Sequence, residues 1–386
     1  MATAPALAAP PRAAARRVVG ELEIFRIPVN HRGDWILVRL GGGGALKGLG
    51  DASHGGDDAR TIAYLRRFAE LLRGRSIFDV EWFRQATAKA IATEPRASAI
   101  VAASALEQCL WDLIGHALEV PVHDLFGGRL RDSIPLYANI NRSTIQRTPD
   151  GFARMAEKAV AGGFDAIKLA PFDAIPADPA QRGDIRQLTD QGVACAAAVR
   201  QAIGPGRRLL IDAHSRFTRE QGIELAARLA PLDLYWLEEV TPADPITDLA
   251  AINRAAAMPT AGGEAVRGIA AFYDYIRAGA VDIAMPDVKI CGGMLELRKI
   301  AALAEAAGLD VSPHGPASPV GNLAAAHVAA TLPNFQILEH AFGEVSWRDE
   351  LLAEGEPIRR GSLLLGFGPG LGASLNEQLL TRLSRR

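Results

Sequence analysis

Cysteine is scarce in this 386-residue chain, and the three present, Cys109, Cys195 and Cys291, are odd in number and far apart. No pair has metal-type or redox-type spacing, which removes thiolate metal and redox sites and makes a reducing, cytoplasmic setting the simple expectation. No apolar run approaches the roughly 18 residues that a membrane-spanning helix needs. Charge of either sign is not in excess: 42 basic and 44 acidic side chains leave a net −2 at pH 7. Neither nucleic acid nor an anionic membrane is therefore an expected partner. The Ala/Pro-rich, basic residues 1–17 end in Arg16-Arg17, but Glu21 and Glu23 follow where a twin-arginine signal requires an apolar segment. They are expected to form a disordered tail.

What the chain does contain is a repeated unit. From Arg208 to Glu264 it reads RLLIDAH, YWLEE and MPTAGGE, short apolar runs ending in Asp212, Glu238 and Glu264, spaced 26 and 26 residues apart. Such runs are too short for free-standing helices and suit buried parallel strands. Segment 219–229 between them has apolar residues at helical spacing, so the pattern is strand–helix–strand. The same rhythm gives candidate strands at 134–140, 165–170, 208–213, 234–238, 259–263, 281–286, 309–313 and 335–338, with helices such as 189–202, 295–307 and 321–332 between them. Eight strands over about 205 residues have the size of a β/α barrel.

Ahead of the barrel, residues 18–130 read as an α+β unit. Hairpin strands at 22–29 and 35–40 and a turn at 41–44 precede helices at 59–72, 77–90 and 98–118. The barrel occupies 131–345. Residues 346–386 have no strand slot left in it and are expected to pack back on the first unit.

Consecutive parallel strands of a barrel end side by side, where such folds carry their chemistry. A single acid there caps a helix or pairs with a base. Three in register repel one another unless a cation joins them, and hard oxygen donors without cysteine suit Mg2+ better than Zn2+. Lys168 sits on the strand at 165–170, with Ile167 and Leu169 expected to face the helices and the ammonium the acids. A structural ion pair is the alternative. Asp287 and His314 follow consecutive strands and can form a dyad in which the carboxylate fixes the imidazole and raises its basicity.

His214, two residues past Asp212, is a second acid/base group about half the barrel away, and Glu339 ends the eighth strand. The two-residue period turns Glu239 and His340 away from the lumen. His31 and His54 belong to loops of the first unit that could reach over the mouth, whereas His116, His123 and His327 sit on helical segments and pack.

These motifs carry a family resemblance. SALEQCLWDLIGHALEVPVHDLFGG, IDAH, LEE, AGGE, MPDVKICGG, SPH, LEH and PGLG occur in the order found in the enolase superfamily, and the chain resembles its mandelate racemase subgroup over nearly its whole length. The resemblance implies an α/β fold, a modified (β/α)8 TIM-type barrel of (β/α)7β form with an α+β capping domain. It also implies one Mg2+, removal of a proton α to a carboxylate, and a homo-oligomer, from dimer to octamer. By position, Asp212, Glu238 and Glu264 match the metal ligands and His314 with Asp287 the catalytic dyad. Lys168 matches the first lysine of a Lys-x-Lys pair, and Glu339 the acid that hydrogen-bonds the substrate carboxylate.

The departures direct the chemistry. Ala170 stands where racemases have the second lysine, the base on the opposite face, and Val240 replaces the usual Pro after the Glu pair. His214 stands where the racemase has Asn; there it resembles the galactonate and mannonate dehydratase branches, in which it is the acid on a leaving hydroxyl. A racemase needs an opposed acid/base, which Ala170 cannot be. The expected function is a lyase, a hydro-lyase that dehydrates an aldonic or aldaric sugar acid to a 2-keto-3-deoxy acid, with His31, His54 and Arg216 touching substrate. A racemase, epimerase or cycloisomerase of an α-hydroxy acid is the alternative. A non-catalytic barrel binding metal and acid is the second alternative, against which the intact His–Asp pair argues.

Overall fold

A computed structural model describes residues 17–31, 33–366 and 368–383, so residues 1–16 of the expected tail lie outside the described residues. The first domain opens with an antiparallel sheet of β1 (Leu22–Asn30), β2 (Gly33–Gly41) and β3 (Lys47–Asp51), in which Ile24 faces Val38 and Val38 faces Gly50. The sequence pattern does not reveal β3, because KGLGD has neither alternation nor β-branched residues. Its glycines allow close approach instead. A Cβ on Gly48 would lie 2.2 Å from the Cys109 carbonyl oxygen, and one on Gly50 2.1 Å from that of Ala105.

The helix so closely approached is α3 (Ser98–Leu118), preceded by α1 (Asp58–Leu72) and α2 (Val80–Thr93) and followed by the short α4 (Val122–Leu125). Asp57 starts α1 by accepting from Arg60 N at 3.0 Å, an N-cap that satisfies one of the donors the first turn leaves free. Helix α3 is buried nearly all round, as an element apolar on every face must be.

The second domain is the barrel. Its strands are β4 (Ser133–Asn139), β5 (Ala166–Leu169), β6 (Arg208–Asp212), β7 (Leu234–Glu238), β8 (Thr260–Gly262), β9 (Ile283–Ala284), β10 (Asp310–Val311) and β11 (Leu338–Ala341). They pair in parallel in chain order from β4 to β10. β11 returns to β4, and a parallel bridge between Val311 and Phe335 spans the last gap. The connecting helices are α5 (Pro149–Ala161), α6 (Arg186–Ile203), α7 (Arg219–Leu229), α8 (Ile246–Ala255), α9 (Gly268–Arg277), α10 (Met294–Ala306) and α11 (Pro319–Ala329). Eight strands with one helix in each interval make a (β/α)7β barrel. The apolar run 335–338 marks only the approach to the eighth strand, which continues through the charged Glu339 and His340.

The two-residue period sorts the strand side chains. Tyr137, Ala166, Leu210, Trp236, Ile283 and Ile337 pack together in the lumen, while Ile167, Leu169, Leu209, Ile211 and Leu237 join the layer under the helices.

The C-terminal segment departs from expectation by dividing between the domains. Its hairpin β12 (Ile358–Arg359) and β13 (Ser362–Leu364) pairs antiparallel with β4, Leu363 opposite Ile134, because the entry end of β4 offers unpaired backbone groups. Beyond it the segment reaches the first domain. Leu371 N donates to Asp112 on α3 at 2.7 Å, and Glu377 of α12 (Glu377–Leu383) pairs with Arg39. Among the described residues no helix is long and apolar enough to cross a membrane.

Candidate active site

The exit ends of the barrel strands converge on one polar cluster. Asp212 ends β6 and Glu238 ends β7, paired in register, and Glu264 lies two residues past β8. Each offers a carboxylate oxygen within 4.8 Å of the other two. Glu264 Oε2 is buried and, its ion-pair contact with His314 aside, makes no hydrogen bond. An all-oxygen trio this close together fits a hard divalent cation, and these three residues would hold it.

Lys168 enters the cluster from β5, where only 1% of the residue is exposed. Its Nζ hydrogen-bonds Glu238 and lies 3.4 Å from both Asp212 Oδ2 and Glu339 Oε1. Burial opposes its charge, yet the surrounding carboxylates, Glu238 foremost, raise its pKa well above that of a free lysine. Burial also raises Glu238, up to about 8, against the pull of Lys168. Trp236 Nε1 donates to Glu238 at 2.8 Å from two residues upstream on the same strand. Glu339, also buried, is nonetheless held down to about 2 by Lys168 and His314 and accepts from Asn139 Nδ2 at 2.6 Å and Gly315 N at 2.9 Å.

His314 follows β10 and Asp287 follows β9, and the two meet with Nδ1 2.9 Å from Asp287 Oδ2. The other ring nitrogen, Nε2, faces the cluster, 3.1 Å from Glu264 Oε2 and 3.6 Å from Glu339 Oε2. Burial disfavours the imidazolium, but Glu264, Glu339 and Asp287 together raise the His314 pKa to about 9. The fully buried Lys289 Nζ bonds Asp287 Oδ2 at 2.9 Å, so Asp287 is shared between a cation and the ring. Asp287 is thereby held well below the usual carboxylate range despite its burial.

At the far end of the trio His214 Nε2 lies 3.0 Å from Asp212 Oδ2, and Nδ1 hydrogen-bonds Asp173. The two imidazoles thus flank the acids from opposite ends, His214 beside Asp212 and His314 beside Glu264. Burial works against charge on His214 as well, but Asp212 and Asp173 raise its pKa to about 11.

The loop residues fall differently. His54 is partly buried at the mouth, with Nε2 3.3 Å from Arg142 Nη1. Burial and the Arg142 and Lys289 cations push its pKa well below normal, which leaves it neutral beside the dyad. His31 is exposed and lines a cavity of 580 Å3 with Asn141, Arg147 and Asp173. Arg216, expected at the substrate, joins neither group. His214 and Ser215, just ahead of it, take φ of 45° and 57°, both in the left-handed region. It lies near Arg182 instead, its Nε buried without a hydrogen-bond partner.

Glu239 and His340 do turn away. Glu239 accepts from Gly263 N at 2.6 Å, and His340 stacks on Phe164 with centroids 5.6 Å apart. Sequence reasoning missed Asn139, Lys289 and Asp173. Lys289 stands two residues past Asp287, the same offset that singled out His214, whereas Asp173 lies in a loop with no period to read.

Comparison with known proteins agrees with this architecture. Residues 25–127 match the model of the mandelate racemase/muconate lactonizing enzyme N-terminal domain, and residues 151–379 match that of the enolase C-terminal domain-like family. A D-xylonate dehydratase from Haloferax volcanii is 32% identical over 350 residues, 89% of this chain and 83% of that one. A D-galactarolactone cycloisomerase from Agrobacterium fabrum is 32% identical over 296 residues, covering 74% of each chain. The crystal structure of a mandelate racemase/muconate lactonizing enzyme-like protein from Rubrobacter xylanophilus superposes with a TM-score of 0.88 at 32% identity, over 96% of this chain and 98% of that one. With both domains matched and the barrel's acids and imidazoles in place, the chain belongs to the mandelate racemase/muconate lactonizing enzyme family of the enolase superfamily.

Proposed function

We propose that this protein is a Mg2+-dependent dehydratase of an aldonic or aldaric sugar acid. The observation that carries the reading is the pair of imidazoles on opposite ends of one acid trio, with the buried Ala170 where an opposed lysine base would stand. Sugar-acid dehydratases among the relatives support it.

His314, with Nδ1 held by Asp287, takes the proton α to the substrate carboxylate at Nε2. Lys168 and Glu339 orient that carboxylate, the ammonium balancing charge as it develops. His214 gives a proton to the β-hydroxyl, which leaves as water, and the resulting enol becomes the 2-keto-3-deoxy acid. A divalent cation on Asp212, Glu238 and Glu264 supplies further stabilisation of negative charge on the substrate. Assembly as a homo-oligomer is part of the same proposal, as is a cytoplasmic setting, in keeping with three buried, unbridged cysteines.

Cycloisomerisation shares the His314 half of this chemistry, and the cycloisomerase relative keeps it as a second reading. The test is incubation with a library of aldonic and aldaric acids and Mg2+, with assay of 2-keto-3-deoxy products. Appearance of the ketone from at least one acid is expected. Opening of a sugar lactone or inversion of an α-hydroxy acid with no ketone from any member refutes the dehydratase reading.

A further inference from the structure

Asp173 belongs to no strand end. It sits in the loop between β5 and α6, yet its carboxylate is drawn into the site by three side chains. Oδ1 meets His214 Nδ1, while Oδ2 accepts from Asn141 Nδ2 at 3.2 Å and Arg147 Nη2 at 3.0 Å. Arg147 is itself anchored on backbone, to Asn141 O at 3.1 Å and Ala170 O at 2.5 Å, so it clasps the exits of β4 and β5 together. Next to Asp173, the buried Phe172 packs edge-on against Phe217, three residues past His214, with centroids 5.1 Å apart. The loops after β5 and β6 are thereby locked to each other.

His214 needs such a lock. Its φ of 45° is a left-handed conformation that strains a residue with a β-carbon and persists where the surroundings over-determine it. A ring on a strained backbone and held at Nδ1 by Asp173 is left with Nε2 on the side of the acid trio, where it lies 3.0 Å from Asp212 Oδ2.

We infer that Asp173 is a positioning residue for His214, fixing Nδ1 so that Nε2 is the atom presented to the bound substrate. The site then holds two Asp–His pairs, Asp287–His314 for removing the α-proton and Asp173–His214 for protonating the leaving hydroxyl. The pairs differ in origin: Asp287 lies at a strand end, Asp173 in a loop that Arg147 clamps. The position after Lys168 that lacks a second lysine is followed three residues later by the carboxylate that serves the acid. The inference rests on the sugar-acid reading for its reaction, though not for its geometry.

The test compares wild type, D173A and D173E as full-length, Mg2+-loaded protein with two readouts. The first is the ratio of dehydration to α-proton exchange in D2O. D173A is expected to lower the kcat of dehydration by about 100-fold with KM within about threefold, while exchange falls far less, and D173E recovers part of the loss. The second needs no substrate. Nitrogen-15 NMR of the histidine rings, with His214 assigned by its disappearance in H214N, is expected to show a hydrogen-bonded Nδ1–H that D173A removes. An unchanged ratio, or both rates falling together, overturns the inference, as does a His214 Nδ1–H signal that survives D173A. If wild type dehydrates no sugar acid, the proposed function falls, and the ring signal alone still decides the role of Asp173.

Discussion

Replacing Lys168 by Met tests the electrostatic centre of the site. The side chains are of similar length, so the change removes charge with little change of volume. In the native protein Nζ lies 3.4 Å from Asp212 Oδ2, 3.4 Å from Glu339 Oε1 and within hydrogen-bonding distance of Glu238, with the residue 1% exposed. At an effective dielectric of 20, each 3.4 Å contact is worth about 5 kcal/mol of gross attraction. Desolvation of the ammonium and the acids offsets most of this, so the net value of the group is far smaller than the sum.

Removing one partner is another matter, because it leaves carboxylates facing one another in a dry lumen, a change that costs ~3–5 kcal/mol. K168M is therefore expected to lose 3–5 kcal/mol in urea unfolding with EDTA present. Added Mg2+ should narrow the gap to wild type, since a cation on the trio then does part of the lysine's balancing. A saturating ligand at about 1,000 times its Kd contributes ~4 kcal/mol, enough to be read in the same assay. Dehydration should stay impaired in Mg2+ even where stability recovers. K168M as stable as wild type in EDTA, within about 0.5 kcal/mol, would refute the ion-cluster argument.

Three further outcomes follow from the geometry. H314N should reduce α-proton exchange into substrate in D2O by about 1,000-fold, read by NMR of the α-position, because its Nε2 is the base nearest the trio on that flank. Burial holds the His327 pKa down to about 3, so the neutral ring's stabilisation is complete above the unfolded value near 6.5 and is lost as pH falls toward 3. Urea unfolding free energies at pH 7, 5.5 and 4.5 should fall less steeply in H327Q than in wild type, by ~1.4 kcal/mol per pH unit below 6.5, and parallel slopes would count against it. G50A should cost ~1–3 kcal/mol or more, since its Cβ would fall 2.1 Å from the Ala105 carbonyl oxygen and 3.1 Å from Cys109 Sγ; unchanged urea unfolding would mean β3 can move off α3.

What the sequence made legible is what periodicity controls. In a parallel barrel the side chains of strand exits share one register, so counting by twos from Lys168, Asp212, Glu238 and Glu339 places them in the lumen and turns Glu239 and His340 out. Charge interrupts the apolar pattern at those same residues, which is why the eighth strand reads three residues early, at 335–338 instead of Leu338–Ala341. Arg216 follows two left-handed residues after Ala213, a local turn that no periodic rule foresees. Strand β3 failed because its glycines are chosen for proximity to α3, a tertiary demand with no local signature. Asp173 is invisible until Arg147, 26 residues upstream, is seen to hold it.

The first domain does more than cover the barrel mouth. Asp51, at the end of β3, accepts from Ser318 N at 3.0 Å and Ser318 Oγ at 2.6 Å, at the start of α11. Glu107 on α3 accepts from Met294 N at 2.8 Å and Leu295 N at 3.0 Å, the first turn of α10. Each acid meets donors that a helix N-terminus leaves unpaired, where its charge also opposes the helix dipole. Those two helices follow the segments that carry His314 and Asp287. Burial raises Glu107 to about 7 even with both backbone donors and Trp111 Nε1 bonded to it, so this joint is bought at an electrostatic cost. A buried carboxylate kept under such strain makes sense only if the position it fixes matters more than the energy it forfeits. Here that position is the dyad's, because α10 cannot shift relative to α3, nor α11 relative to β3, without breaking these bonds. The proposed base, His314, is thus set by the first domain through the backs of the helices as well as by the strands that bear the dyad.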